Sequence, residues 1–201
     1  MSWTSDDFRW DLGEALAGDR AIATTSSDLD GRRIALLVTG GIAAYRTPSL
    51  ARELRRHGAQ VFAFATPSAL QFVTRDSLEW TTSHPLVSAL DGRAQHVETG
   101  RVDAWLVAPA TYATINKAAT GIADNAVTTA LASALGAVEA GATQVIFAPT
   151  MHGSMANTIL RDSLARLANL GCRVIPPVGR DGKATLPDDA ALVAVVVAAL
   201  R

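Results

Sequence analysis

Four short apolar runs govern what this chain can become: RRIALLVT at 32–39, QVFAFAT at 60–66, DAWLVAP at 103–109 and QVIFAP at 144–149. Apolar residues stand at consecutive positions in each, as in strands covered on both faces. Stretches with helical spacing separate them. After the first run, Ala43, Thr47, Leu50, Ala51 and Leu54 recur at helical intervals with Arg and Glu between them, and Gly58 is a fitting stop. Strands alternating with helices predict an α/β fold, a Rossmann-like, mostly parallel sheet sandwiched between helices.

The remaining segments fit that frame. CRVIPP at 172–177 reads as a fifth strand and PSALQFV at 67–73 as a short helix. Further helices are expected in ATYATINKAATG up to Gly121, over 123–141, from about Ser154 to Leu170, and from Asp188 onward. Residues 74–102 read as loop-rich, and 1–31 as a polar arm with one helix, leaving 32–201 as a single domain. A chain of 201 residues, 49% hydrophobic, can bury a sizeable core. A net charge of −1 points away from nucleic acid and acidic membrane surfaces. AALVAVVVAALR falls short of the roughly 20 residues a membrane helix needs, and the first residues lack an apolar signal core. With Cys172 as the single cysteine there is no disulfide framework or multi-cysteine metal site, which predicts a cytoplasmic protein. The scattered histidines have no metal-ligand spacing, so no metal is expected.

In open parallel sheets, ligands bind beyond the carboxyl ends of the strands. The distinctive segments all begin there: Thr39-Gly40-Gly41, Thr66-Pro67-Ser68, Pro109-Ala110-Thr111 and Pro149-Thr150-Met151. A Gly-Gly turn before a helix lets backbone N–H groups approach an anion; a tight turn with no ligand fits the segment equally well. No Gly-Lys-Ser/Thr follows, and Ile42-Ala43 breaks a G-x-G-x-x-G pattern, so a P-loop and a dinucleotide site are disfavoured. A smaller phosphate-bearing ligand remains open.

Taken in order, VTGGIAAYRTPSLARELRRHGAQV, HVE, VAPATYATINKAATGIADNAVTTAL and APTMHGSM resemble the homo-oligomeric flavin-containing cysteine decarboxylases, a flavodoxin-like flavoprotein family. Within it the likeness is greatest to the phosphopantothenoylcysteine decarboxylase branch of coenzyme A synthesis, and it runs from residue 32 to about 190. The resemblance implies FMN as cofactor. Gly40, Gly41 and Ile42 match the Gly-Ser-Ile segment that supports the flavin phosphate and ribityl chain. Thr66 and Ser68 match a second hydroxyl-bearing loop, and Pro109, Ala110, Thr111 and Thr114 the Pro-Ala-Ser/Thr-Ala-Asn-Thr motif beside the flavin. Ala123, Asp124 and Asn125 match an Ala-Asp-Asn segment at the substrate and subunit contacts. Met151, His152 and Met155 match the Pro-x-Met-Asn-x-x-Met substrate clamp, and His96 matches the active-site histidine.

The implied substrate is a small cysteinyl carboxylate and the implied assembly a homo-oligomer, a trimer or a dodecamer. Direct loss of CO2 from a cysteine would leave an unstabilised carbanion. In the family, FMN first oxidises the C–S unit to a thioaldehyde, which serves as the electron sink. A histidine suits the thiol proton because it titrates near neutral pH.

Three positions depart from the family pattern: Gly41 replaces Ser, His152 replaces Asn, and Ala113 replaces Asn. Alanine has neither donor nor acceptor, so the site tolerates the loss, Asn116 one turn on compensates, or the alanine is engineered. The flap VGRDGKATLPD, 178–188, lacks the cysteine that protonates the enethiol in the pantothenate branch, leaving Lys183 as the nearby donor. Its absence also suits a peptidyl-cysteine decarboxylase that releases an enethiol. A flavin prenyltransferase and a non-catalytic FMN-binding regulator are the other readings; PATYATINK speaks against the first and Ala113 keeps the second open. The length suits a stand-alone decarboxylase without the synthetase domain often fused to that branch. His57 and His84 read as a solvated cap and a loop residue, Cys172 as a buried strand residue, and Trp3 and Trp10 as packing residues of the arm.

Overall fold

The computed structural model describes Arg9 and residues 18–91 and 102–201. Five parallel strands form the central sheet: β1 (Arg33–Val38), β2 (Gln60–Ala65), β3 (Ala104–Ala110), β4 (Gln144–Pro149) and β6 (Arg173–Val174). Their order across the sheet is β2-β1-β3-β4-β6, the flavodoxin-like arrangement whose direction of winding reverses between β1 and β3. Side chains of successive strand residues point to opposite faces. Hence Ile34, Leu36 and Val38 join one buried cluster and Ala35 and Leu37 the other. That is why the runs are apolar at every position.

Helices α1 (Thr47–Arg56), α2 (Arg75–Thr82) and α6 (Asp189–Leu200) cover the first face, through Leu50, Leu54, Leu78, Leu192 and Val196. Helices α3 (Tyr112–Thr120), α4 (Ala126–Glu139) and α5 (Thr158–Asn169) cover the second, through Ile115, Val127, Leu131, Leu160 and Leu167. No described helix is long and apolar enough to cross a membrane.

Four local expectations are corrected. The stretch expected to be loop-rich contains α2, whose start is marked by Thr74 accepting from Ser77 N–H at 3.1 Å; with only eight residues, its apolar signal was short. The helix expected from Ile42 opens with a 3-10 turn, Ile42–Arg46, before α1. The helix expected from Ser154 is a 3-10 turn, Gly153–Met155, and then α5, capped by Asn157 accepting from Leu160 N–H at 3.1 Å. The fifth strand shrinks to two residues, and the flap beyond it is a hairpin, β7 (Val178–Arg180) and β8 (Lys183–Thr185). β8 also pairs with β5 (Met151–His152), giving a small antiparallel sheet above the main one. Asp181 and Gly182, at φ 52° and 68°, make the two-residue turn, for which Asp-Gly is a strong sequence signal.

Leu106 is fully buried in the first cluster. Leu106→Ala is expected to cost about 2–5 kcal/mol by leaving a cavity in the central strand, read as a lower urea midpoint with an unchanged m-value.

Candidate active site

The loops beyond β1 and β3 open on one cleft of about 1320 Å³. It is larger than a typical ligand pocket of about 300–1,000 Å³ and roomy enough for a cofactor and a substrate together. Gly40, Gly41 and Ile42 from the end of β1, Thr66 and Ser68 from the end of β2, and Thr111 and Thr114 from the end of β3 all line it. Met151, His152, Met155 and Lys183 line it from the small sheet side, and Asn125 from the start of α4.

The glycine turn is shaped by close approach. A Cβ on Gly40 would lie 2.4 Å from the Cβ of Ser68, so the β1 and β2 loops can touch only if residue 40 is glycine. Gly41 is less constrained, its Cβ position meeting the Thr111 methyl at 3.3 Å. Gly41 N–H donates to Thr39 O at 2.8 Å and Ala44 N–H to Gly41 O at 2.9 Å. The N–H groups of Ile42 and Ala43, between them, have no partner among the described residues. That is the donor pair an anion at a helix start requires.

The β1 and β3 loops are joined by a hydroxyl chain. Thr39 is fully buried. Its Oγ1 lies 2.6 Å from Pro109 O and 3.0 Å from Thr111 Oγ1, and it accepts from Thr111 N–H at 3.1 Å. A carbonyl can only accept, so the one Thr39 proton goes to Pro109. Thr111 Oγ1 in turn lies 3.2 Å from Thr114 Oγ1, and either of these two hydroxyls can donate to the other. Pro109 and Ala110 are themselves buried behind this chain and do not line the cleft. At this strand end the β3–β4 register shifts between Val107 and Ala110.

Other expected residues sit elsewhere. Asn116 Oδ1 accepts from Ser163 Oγ at 2.6 Å, bracing α3 against α5 outside the cleft lining. Ala123 and Asp124 also lie outside the lining. Asp124 acts through Lys117, which does line the cleft: their hydrogen bond holds the Asp124 carboxyl below its usual range. Asn125 caps α4 by accepting from Val127 and Thr128 N–H at 3.0 and 3.1 Å. His96 lies outside the described residues, as do Trp3 and Trp10. Cys172 is buried away from the cleft, and burial pushes its thiol up to about 11. His84 stacks on Phe62 at 4.3 Å and His57 caps α1 between Glu53 and Asp28, so neither reaches the site.

The sequence reading passed over Arg46 and Arg180, which also line the cleft. Arg46 donates to Leu186 O at 2.9 Å and to Asp189 Oδ1 at 2.8 Å, tying the 3-10 turn after the glycines to the start of α6. Nothing in its spacing marks a contact that spans the chain. Arg180 was findable from the Asp-Gly turn, which puts it opposite Lys183.

The flavoprotein family profile matches residues 22–201. The chain belongs to that family. It is 38% identical over 168 residues to the coenzyme A biosynthesis bifunctional protein CoaBC of Thermococcus kodakarensis, covering 81% of this chain and 40% of that protein. The chain thus spans about two fifths of the length of such curated relatives. Among solved structures it is similar to the FMN-dependent cysteine decarboxylase TvaF from thioviridamide biosynthesis, with 29% identity, a TM-score of 0.67, and 85% of this chain and 98% of that one covered. A mutant PPC decarboxylase complexed with pantothenoylaminoethenethiol shares the fold, with a TM-score of 0.70 at 24% identity, over 82% of this chain and 96% of that one.

Thr39→Val keeps the shape of the side chain but removes the hydroxyl. It leaves Pro109 O and Thr111 N–H unsatisfied and should destabilise the protein by about 1–3 kcal/mol. Thr39→Ser should recover most of that loss, and chemical denaturation of the three proteins checks the order.

Proposed function

We propose that this protein is an FMN-dependent decarboxylase of a cysteinyl carboxylate, with 4'-phosphopantothenoylcysteine of coenzyme A synthesis as the best-fitting substrate. The observation that carries the reading is the cleft at the β1/β3 switch point, where the glycine turn, the hydroxyl chain and the Met151–Met155 segment face one another in a flavoprotein-family chain. The relatedness to CoaBC supports the substrate.

The residues present fit FMN. The free N–H groups of Ile42 and Ala43 suit its phosphate, and the hydroxyls of Ser68 and Thr66 suit its polar chain. Bound there, FMN supplies hydride acceptance and return, so that the C–S unit is oxidised before CO2 departs. The chain holds the substrate and manages its protons. His96 takes the substrate thiol proton. Asn125, His152 and Lys183 bind polar ends of the substrate, while Met151 and Met155 exclude water from its reacting carbon. Asn116 acts at one remove, by fixing α3.

The assembly belongs to the same reading: a homo-oligomer, trimer or dodecamer. Its support is the exposure of Ile42, Tyr45, Met155 and Val178 around the cleft mouth, apolar surface that a neighbouring copy would cover. The cytoplasmic setting is likewise proposed, and the single unpaired cysteine supports it.

A second reading, a peptidyl-cysteine decarboxylase, is favoured by a hairpin without cysteine. The product separates the two. Incubation with 4'-phosphopantothenoylcysteine should give the saturated thiol by mass spectrometry. Release of the enethiol, lighter by one H2, would favour the second reading. No CO2 from any cysteinyl substrate would end both.

Two substitutions test the residues. His96→Asn should lower kcat by about 10²–10⁴-fold while the flavin absorbance of the purified protein is retained. Ala113 is exposed on the cleft wall, and Ala113→Asn should tighten FMN or raise activity, each restored hydrogen bond contributing about 1 kcal/mol. Lower activity would instead show a site adapted to alanine. Light scattering of the FMN-loaded protein should give at least a trimer's mass; a monomer at full occupancy would refute the assembly.

A further inference from the structure

We infer that the small sheet carries a phosphate site for the end of the substrate remote from its cysteine, built from His152, Lys183 and Arg180. The inference rests on the proposed function. Within the small sheet, Lys183 stands directly opposite His152 on one side and Arg180 on the other. Direct cross-strand partners project from the same face. The three basic side chains therefore form one row across three strands, and all three line the cleft.

Like charges placed directly opposite destabilise a sheet. Here nothing offsets them. Neither Arg180 nor Lys183 has an ion pair or side-chain hydrogen bond among the described residues. The other cleft cations are committed, Arg46 to Asp189 and Lys117 to Asp124. Of the nearby acids, Asp181 occupies the turn, and Asp188, which lines the cleft, is held by Ala191 N–H at 2.7 Å. His152 Nδ1 is turned to Ser154, 2.9 Å from its Oγ and 3.3 Å from its N–H, so Nε2 is the ring nitrogen left for a ligand.

An arginine fork and an ammonium, with an imidazole beside them on one face, match a phosphate monoester dianion. The chemistry is common to the cofactor's phosphate and the substrate's. The N–H groups of Ile42 and Ala43, at the end of β1, provide for the cofactor's, and the row on the separate small sheet takes the substrate's.

The test compares the FMN-loaded wild type with the double variant Arg180→Gln/Lys183→Gln, with 4'-phosphopantothenoylcysteine and pantothenoylcysteine as ligands in calorimetry. The wild type should prefer the phosphorylated ligand by about 10–100-fold, the range expected for hydrogen bonds to a charged group, and the variant should lose most of that preference. No preference in the wild type, or an unchanged preference in a variant that still melts cooperatively, overturns the site. So does a variant whose FMN affinity falls relative to riboflavin as much as its substrate preference does, since the row would then hold the cofactor. A wild type that discriminates in binding yet decarboxylates neither ligand leaves the phosphate site standing and removes the decarboxylase reading alone.

Discussion

One buried oxygen, Thr39 Oγ1, sets the geometry on which the cleft depends. Parallel strands splay at a point where the winding reverses, and the loops that leave β1 and β3 there have no ladder to hold them together. The Thr39 hydroxyl replaces the ladder with contacts to Pro109 O, Thr111 N–H and Thr111 Oγ1. Because the oxygen is inaccessible to water, losing one of these bonds cannot be made good by solvent. The floor of the cleft is therefore as rigid as the sheet beneath it, and Gly41 and Thr111 meet at a fixed separation.

The walls are held differently. Arg46 spans from the first helical turn to α6, and Arg32 contacts Asp103 at 3.2 Å at the opposite end of the sheet. Gly153 allows the clamp segment to touch the hairpin, its N–H donating to Gly182 O at 2.9 Å where a Cβ would lie 2.4 Å from that oxygen. The hairpin itself contributes few buried side chains, so its position depends on this backbone contact and on β5 pairing. A floor braced by buried hydrogen bonds thus lies under a roof anchored by few contacts.

The sequence disclosed the sheet because burial on both faces forces a continuous apolar run, and each of the first four strands has one. It disclosed the floor of the site because strand ends follow from strand positions, so the Gly40, Thr66 and Thr111 segments were placed by the same argument. What it did not disclose depends on partners distant in the chain. Asn116, one turn on from Ala113, read as a ligand residue, yet the packing of α3 on α5 turns its amide to Ser163. The Arg46 pairing with Asp189 crosses 143 positions, and no local pattern encodes it. The hairpin was legible in its Asp-Gly turn, but its strands are three residues each, too short for alternation to show.

The hydroxyl chain decides which polar groups the floor offers. The one Thr39 proton goes to Pro109 O and its oxygen accepts from Thr111 N–H, so Thr39 has nothing left for a ligand. Thr111 and Thr114 share the next hydroxyl contact and either can be its donor, so the half-buried Thr111 can meet a ligand group as donor or as acceptor. Ala113, exposed beside it, adds no polar group. The unpartnered donors stand at the edges of the floor, the N–H groups of Ile42 and Ala43 at one and the basic small sheet at the other, and anionic parts of a ligand are directed there.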